Sequence, residues 1–220
     1  MTMTTGSGQT MLWSDNFNVA DTTNFDGASL TGRLSGSLAA SVVARSDGIQ
    51  QHISGNMLKL VGGRVRFQVP PAGAWYNWGS GTGGTTMLAA GGMRISFDYV
   101  PTNITSTNWI NASIGFAAGA VGQRINAGDT DYGVLLRNNG GTERFDNGVN
   151  KGAGGNFPPT SPPTARHAEY NYAFSSFADG SPVRSRVYVD GVLVAADNFT
   201  WDANGGQIYF MVEVGERSEE

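Results

Sequence analysis

Apolar side chains recur at every second position in run after run of this chain. Val65, Phe67 and Val69 share one side of a segment whose other side is Arg64, Arg66 and Gln68. The same period of two sets Met93, Ile95, Phe97 and Tyr99 against Arg94, Ser96 and Asp98, and Ile110, Ala112, Ile114 and Phe116 against Asn111, Ser113 and Gly115. It returns at Tyr132, Val134 and Leu136, at Tyr170, Tyr172 and Phe174, and at Ile208, Phe210, Val212 and Val214. A strand turns successive side chains to opposite faces, so each run predicts a half-buried β-strand.

The sharpest local signal is Val183 to Ala196, VRSRVYVDGVLVAA. Asp-Gly readily takes positive φ at both central positions of a type I′ turn, whose twist matches the strands it joins. A two-residue turn at Asp190-Gly191 fixes a register. Val189 then faces Val192 and Val187 faces Val194 on one surface, while Tyr188 faces Leu193 and Arg186 faces Ala195 on the other.

Other boundaries follow from turn chemistry. MLKLV and RVRFQV flank Gly62-Gly63 and predict a hairpin, which Pro70-Pro71 ends because proline cannot donate to the ladder. A Gly-rich segment from Ala72 to Gly92 carries Trp75, Tyr76 and Trp78. The NNGG run from Asn138 to Gly141 predicts a turn into Glu143 to Phe145. Asn147 to Thr164 holds four Gly and four Pro and suits neither a helix nor a central strand. Near the start, LWSDNF predicts a short strand, and Leu38, Val42 and Val43 fit a twisted edge strand with loops. Roughly ten to twelve strands and no helix emerge, and two packed antiparallel sheets are the economical way to bury their apolar faces.

Composition sharpens this picture. The 220 residues are enough for one large all-β domain, and Gly at 32 positions with only 15% charged residues marks a turn-rich chain. Net charge is −4, Lys occurs at Lys59 and Lys151 alone, and the arginines are scattered, so nucleic acid and anionic membrane are not expected as partners. The absence of Cys removes disulfides, thiolate metal sites and thiol nucleophiles. Met1 to Met11 has neither a basic nor an apolar signal region, and no run approaches the ~18 apolar residues of a membrane span. The expectation is a polar leader over residues 1–11, disordered or non-native, ahead of a single domain over residues 12–220.

From Val183 to Gly215 the chain resembles the laminin-G-like, concanavalin-A-like lectin/glucanase superfamily. In that group a Tyr-Val-Asp-Gly-type turn joins two strands and an aromatic-rich strand lies near the C-terminus. The LWSDNFN, RISFDYVP and INASIGFAAG segments look like those of bacterial secreted members. The resemblance implies an all-β, two-sheet antiparallel jelly-roll sandwich and an extracellular or cell-surface setting. It says less about function, because this fold hosts lectins, carbohydrate-binding modules, glycosidases, lyases and adhesive domains. Such proteins usually place a further strand after the counterpart of Ile208 to Val214, whereas here GERSEE follows. That departure implies a truncated chain or an open edge, which invites pairing with another chain.

Candidate chemistry is sparse. Retaining glucanases of this fold carry Glu-x-Asp-x-Glu-like runs, because two carboxyls about 5 Å apart act as nucleophile and acid. The chain has no such run. A lyase reading would use His52, within Gln51-His52-Ile53, together with Arg66 and Tyr170. It lacks the Arg-x-Glu-x-Arg and Tyr-x-Lys-x-Gly patterns of the lyases it would resemble. His167 has no carboxylate or Ser partner near it in sequence. AWYNWG is the leading binding element: Trp75, Tyr76, Asn77 and Trp78 can stack on sugar rings and bond hydroxyls, or can fold back and cap the sandwich. For calcium, which many such sandwiches hold, Asp129 and Asp131 are candidates, although Asp is also an ordinary turn residue.

The expectation is therefore a non-catalytic carbohydrate-binding or adhesive module of a secreted bacterial protein, with a polysaccharide as partner. Two alternatives stand beside it: a structural subunit of an extracellular fibre or surface layer assembled by strand exchange, and a diverged polysaccharide lyase or glycoside hydrolase.

Overall fold

The computed structural model of the chain describes residues 2–5, 11–14, 41–44, 51–54, 57–60, 63–68, 82–101, 104–116, 130–161, 164–202 and 208–216. The strands are β1 (Thr2–Thr5), β2 (Met11–Ser14), β3 (Ser41–Ala44), β4 (Gln51–Ser54), β5 (Met57–Leu60), β6 (Gly63–Gln68), β7 (Gly92–Tyr99) and β8 (Asn108–Phe116). They continue with β9 (Tyr132–Arg137), β10 (Thr142–Asp146), β11 (Val149–Ala153), β12 (Arg166–Ala173), β13 (Pro182–Val189), β14 (Val192–Thr200) and β15 (Ile208–Glu216). One helix, α1 (Thr82–Ala89), precedes β7.

Two antiparallel sheets form the sandwich expected from the alternation, the jelly roll that the resemblance implies. One has the order β14-β13-β12-β7-β1-β2 and the other β11-β10-β9-β8-β15-β6-β3, while β4 and β5 pair as a separate ribbon. The core lies between the two large sheets. Met93, Ile95 and Phe97 of β7, Tyr170 and Tyr172 of β12, and Val187 and Val189 of β13 meet Ile110, Ala112, Ile114, Val134, Leu136 and Phe210. Phe97 stacks on Tyr170 with centroids 5.9 Å apart, and Phe210 meets Tyr170 edge-on at 6.2 Å. Trp201 is 1% exposed and packs with Phe174, Phe177 and Phe199.

Several local expectations change. The Asp190-Gly191 turn is present, with φ of 49° and 79°, the positive pair a type I′ turn requires. The register holds for Val189 with Val192 and Tyr188 with Leu193, then shifts, so that Val187 pairs with Ala195 and Arg186 with Ala196. The extra residue makes a bulge in which Val194 and Ala195 are both buried. The bulge carbonyl is put to use: Val194 accepts the Gly155 N–H at 2.7 Å, tying the segment after β11 to the edge of β14.

β5 and β6 are not a hairpin, for β5 pairs with β4 while β6 lies between β15 and β3. The Gly-rich segment, expected to hold no helix, forms α1, with Met87 fully buried. Its composition is poor in helix formers, so burial of Met87 and partial burial of Leu88 override propensity. Gly91, at φ 73°, closes the helix by donating to the Leu88 carbonyl at 3.0 Å. Thr2–Thr5, within the expected leader, forms β1 between β7 and β2. β15 has neighbours on both sides, β8 and β6.

Candidate functional site

The outward face of the six-stranded sheet follows from the same alternation that builds the core. With Met93, Ile95 and Phe97 inside, β7 presents Arg94, Ser96 and Asp98 outwards. With Ala168, Tyr170 and Tyr172 inside, β12 presents His167, Glu169 and Asn171. With Val183, Ser185, Val187 and Val189 inside, β13 presents Arg184, Arg186 and Tyr188.

Strand register then assembles these side chains in rows. Asp98 lies opposite His167, Ser96 opposite Glu169, and Arg94 opposite Asn171. On the other flank Glu169 lies opposite Tyr188, and Asn171 opposite Arg186. The rows are cross-linked. His167 Nδ1 and Asp98 Oδ1 are 2.7 Å apart, Asn171 Nδ2 donates to Glu169 Oε1 at 2.6 Å, and Arg94 approaches Glu169 Oε2 at 3.7 Å. His167, Glu169, Asn171, Tyr188 and Gly191 enclose a shallow trough of about 250 Å³.

The trough offers an imidazole, a carboxylate, an amide and a phenol ring at one surface, with Gly191 leaving the turn end unobstructed. Donors, acceptors and one aromatic face at close quarters suit a ligand rich in hydroxyls. The imidazole is 51% exposed and its aspartate 77%, so the pair faces solvent.

Tyr170, taken from the sequence as a weak catalytic candidate, does not reach any surface. It is fully buried, and its hydroxyl donates to the Val134 carbonyl at 3.2 Å. Burial raises its pKa well above the ordinary 10.0, with Tyr172 and Tyr99 adding to the shift. His52 stands on the β4–β5 ribbon and Arg66 on the seven-stranded sheet, paired with Met211 and Val43, so the three candidates occupy three different sheets. Asp131 is likewise held in the framework. It is 3% exposed, its Oδ2 accepts the Asp202 N–H at 3.1 Å, and its carbonyl accepts from Asn147 at 2.8 Å. Asp129 and the Trp75, Tyr76, Asn77 and Trp78 run lie outside the described residues. Among the described residues no three His, Asp or Glu side chains gather as metal ligands would.

Sequence reading weighed His167 but found no partner near it, and did not single out Glu169, Asn171 or Tyr188 as site residues. The missing information was strand adjacency, since Asp98 and His167 are 69 residues apart.

No protein-family model matches the chain, and no curated protein matches it. Among solved structures, a sialidase is similar with a TM-score of 0.44 and 15% identity over 81% of this chain, which spans only 14% of the sialidase. An alginate lyase variant in complex with alginate trisaccharide gives 0.38 and 13% identity, covering 95% of this chain and 88% of that one. The Emp47p carbohydrate recognition domain gives 0.34 and 9% identity, covering 92% and 95%.

Proposed function

We propose that the protein is a non-catalytic carbohydrate-binding module that holds a polysaccharide on the outer face of its six-stranded sheet. The observation that carries this reading is the trough in which His167, Glu169, Asn171 and Tyr188 converge. A sugar ring has an apolar C–H face and a rim of hydroxyls. The Tyr188 ring serves the first, and the Asn171 amide with the Glu169 carboxylate serves the second. The groups sit on three paired strands, so they are held in place before the ligand arrives, which lowers the ordering cost of binding.

A lyase built on His52, Arg66 and Tyr170 has its tyrosine inside the core. Strand exchange rested on a missing further strand, and β15, already paired with β8 and β6, lends it no support. The setting we propose is extracellular, and the Trp75, Tyr76, Asn77 and Trp78 run remains part of the proposal as a second stacking element.

The test is affinity electrophoresis of the full chain through gels containing a panel of plant, algal and bacterial polysaccharides. Wild type should be retarded by at least one polymer, with N171A and Y188A weakening that retardation about tenfold, the loss of one well-made polar or stacking contact. Migration unaffected by every polymer, or variants retarded as strongly as wild type, would remove the proposal.

A further inference from the structure

Seven arginine and lysine side chains are described in the structure, and five of them face a carboxylate. Arg94 is 3.7 Å from Glu169, Arg137 2.5 Å from Glu143, Arg144 2.8 Å from Asp197, Lys151 3.3 Å from Asp146, and Arg166 2.6 Å from Asp190. The remaining two, Arg184 and Arg186, have no acidic partner among the described residues. The Arg186 guanidinium donates to the Ser185 carbonyl at 3.0 Å, and Arg184 is exposed. These two are not scattered. They stand two residues apart on β13, on the outer face and about 7 Å from one another along the strand. Arg186 lies opposite Asn171, one of the residues lining the trough, and is the neighbour of Tyr188 on the outer face of β13.

Resting on the carbohydrate reading, we infer that the ligand is an anionic polysaccharide whose carboxylate or sulfate groups pair with Arg184 and Arg186 while its rings lie over the trough. In a chain of net charge −4, two neighbouring guanidinium groups with no acidic partner among the described residues, beside a polar trough, are a local exception that a negatively charged ligand would neutralise. Arginine is suited to the task. Its planar fork donates two parallel hydrogen bonds to a carboxylate or sulfate and cannot be deprotonated. The neighbouring Arg94 is already drawn to Glu169, so the charge contrast along the face runs towards β13. Exposed arginines are screened by salt, so the anionic part of the affinity should fall as ionic strength rises.

The experiment measures binding of the full chain to matched polymer pairs by calorimetry. Polygalacturonic acid is set against its methyl-esterified form, and a sulfated galactan against its desulfated form. Binding at least tenfold tighter to the charged member of one pair, reduced to the level of the neutral member in R184Q/R186Q and partly kept in R184K/R186K, is the expected result. Whichever pair shows it distinguishes carboxylate from sulfate. The urea midpoint of R184Q/R186Q should match wild type, since both side chains reach solvent.

Equal binding of charged and neutral members, with Y188A still destructive, would overturn the anionic ligand and leave the carbohydrate reading intact. Binding of inorganic polyphosphate as tight as that of the acidic polymers, lost in R184Q/R186Q and untouched in Y188A, would mark a site for charge alone and overturn the inference that the ligand is a glycan. An absence of binding to every polymer would sink both.

Discussion

Arg166 pins Asp190, and with it the β13–β14 turn, to the start of β12. The Arg166 side chain is 4% exposed and donates from Nη1 to Asp190 Oδ2 at 2.6 Å. It also donates to the Pro158 carbonyl, and its guanidinium lies 5.0 Å from the centre of the Phe157 ring. Asp190 returns the grip: its Oδ1 accepts the His167 N–H at 2.9 Å and its own N–H donates to the His167 carbonyl at 2.8 Å. One residue thus makes the turn and positions the trough histidine.

Substitution at Asp190 should separate those roles. Asp190→Gly keeps the positive φ but strands a buried guanidinium, and should cost about 2–3 kcal/mol, at or below the low end of the range for breaking a fully buried pair because Asp190 is 41% exposed. Asp190→Asn tolerates the same φ and keeps an acceptor, so it should cost about half as much. Urea unfolding midpoints check both. A double cycle with Arg166→Met should return part of the loss, since the stranded charge is then gone.

A second inter-element link joins the two sheets. The Tyr132 hydroxyl of β9 donates to Asp197 Oδ2 of β14 at 2.6 Å, and Arg144 of β10 donates to Asp197 Oδ1 at 2.8 Å. Asp197→Ala leaves a buried hydroxyl and a half-buried guanidinium without their acceptor, and should cost about 2 kcal/mol. Tyr132→Phe alone should cost about 1 kcal/mol. The two should be clearly non-additive in a double-mutant cycle, and additivity would mean the contact carries no stability.

The fold was legible because a sandwich strand shows its core on one face, and Tyr170, Tyr172 and Phe174 or Met93, Ile95 and Phe97 carry that imprint directly. The bulge was not legible. Val194 and Ala195 are both apolar, and an extra residue between apolar neighbours leaves no mark on a period of two. The separation of β5 from β6 was hidden because Gly62-Gly63 serves equally in a reversal or in a passage between sheets. The trough was hidden for a different reason. Outward polar residues look solvated one strand at a time, and Asp98 finds His167 only when β7 and β12 are laid side by side. Tyr170 misled because a tyrosine in an alternating run has a polar tip but a largely apolar body, and the body decided its place.

Two buried tyrosines on β12 should respond oppositely to loss of the hydroxyl. Tyr170 donates to the Val134 carbonyl, so Tyr170→Phe should destabilise by about 1 kcal/mol and leave polysaccharide binding unchanged. The Tyr172 hydroxyl is buried with no hydrogen-bond partner among the described residues, so Tyr172→Phe removes an unsatisfied group and should be neutral or stabilising by about 1 kcal/mol. Thermal midpoints measured side by side check the pair. A Tyr170→Phe variant that lost binding would return Tyr170 to the site.

The same burial makes stability fall at alkaline pH. Burial raises the pKa of Tyr99, Tyr132, Tyr170 and Tyr172 above the ordinary 10.0, and for Tyr132 the hydrogen bond to Asp197 and the Asp197 charge add to it. Below pH 10 all four phenols are protonated whether the chain is folded or unfolded, and their contribution to stability is fully present. Above it the unfolded chain releases these protons and the folded chain does not. Each such tyrosine therefore removes about 1.4 kcal/mol of stability per pH unit until its folded pKa is reached. Four groups acting together predict a steep, cooperative alkaline unfolding, with their tyrosinate absorbance appearing together with the loss of buried-tryptophan fluorescence from Trp201. In Tyr170→Phe/Tyr172→Phe, with two of the four ionisations gone, the transition should move to higher pH and lose steepness. Tyrosinate from these residues rising gradually around pH 10, while fluorescence still reports a folded core, would contradict the burial that places them between the sheets.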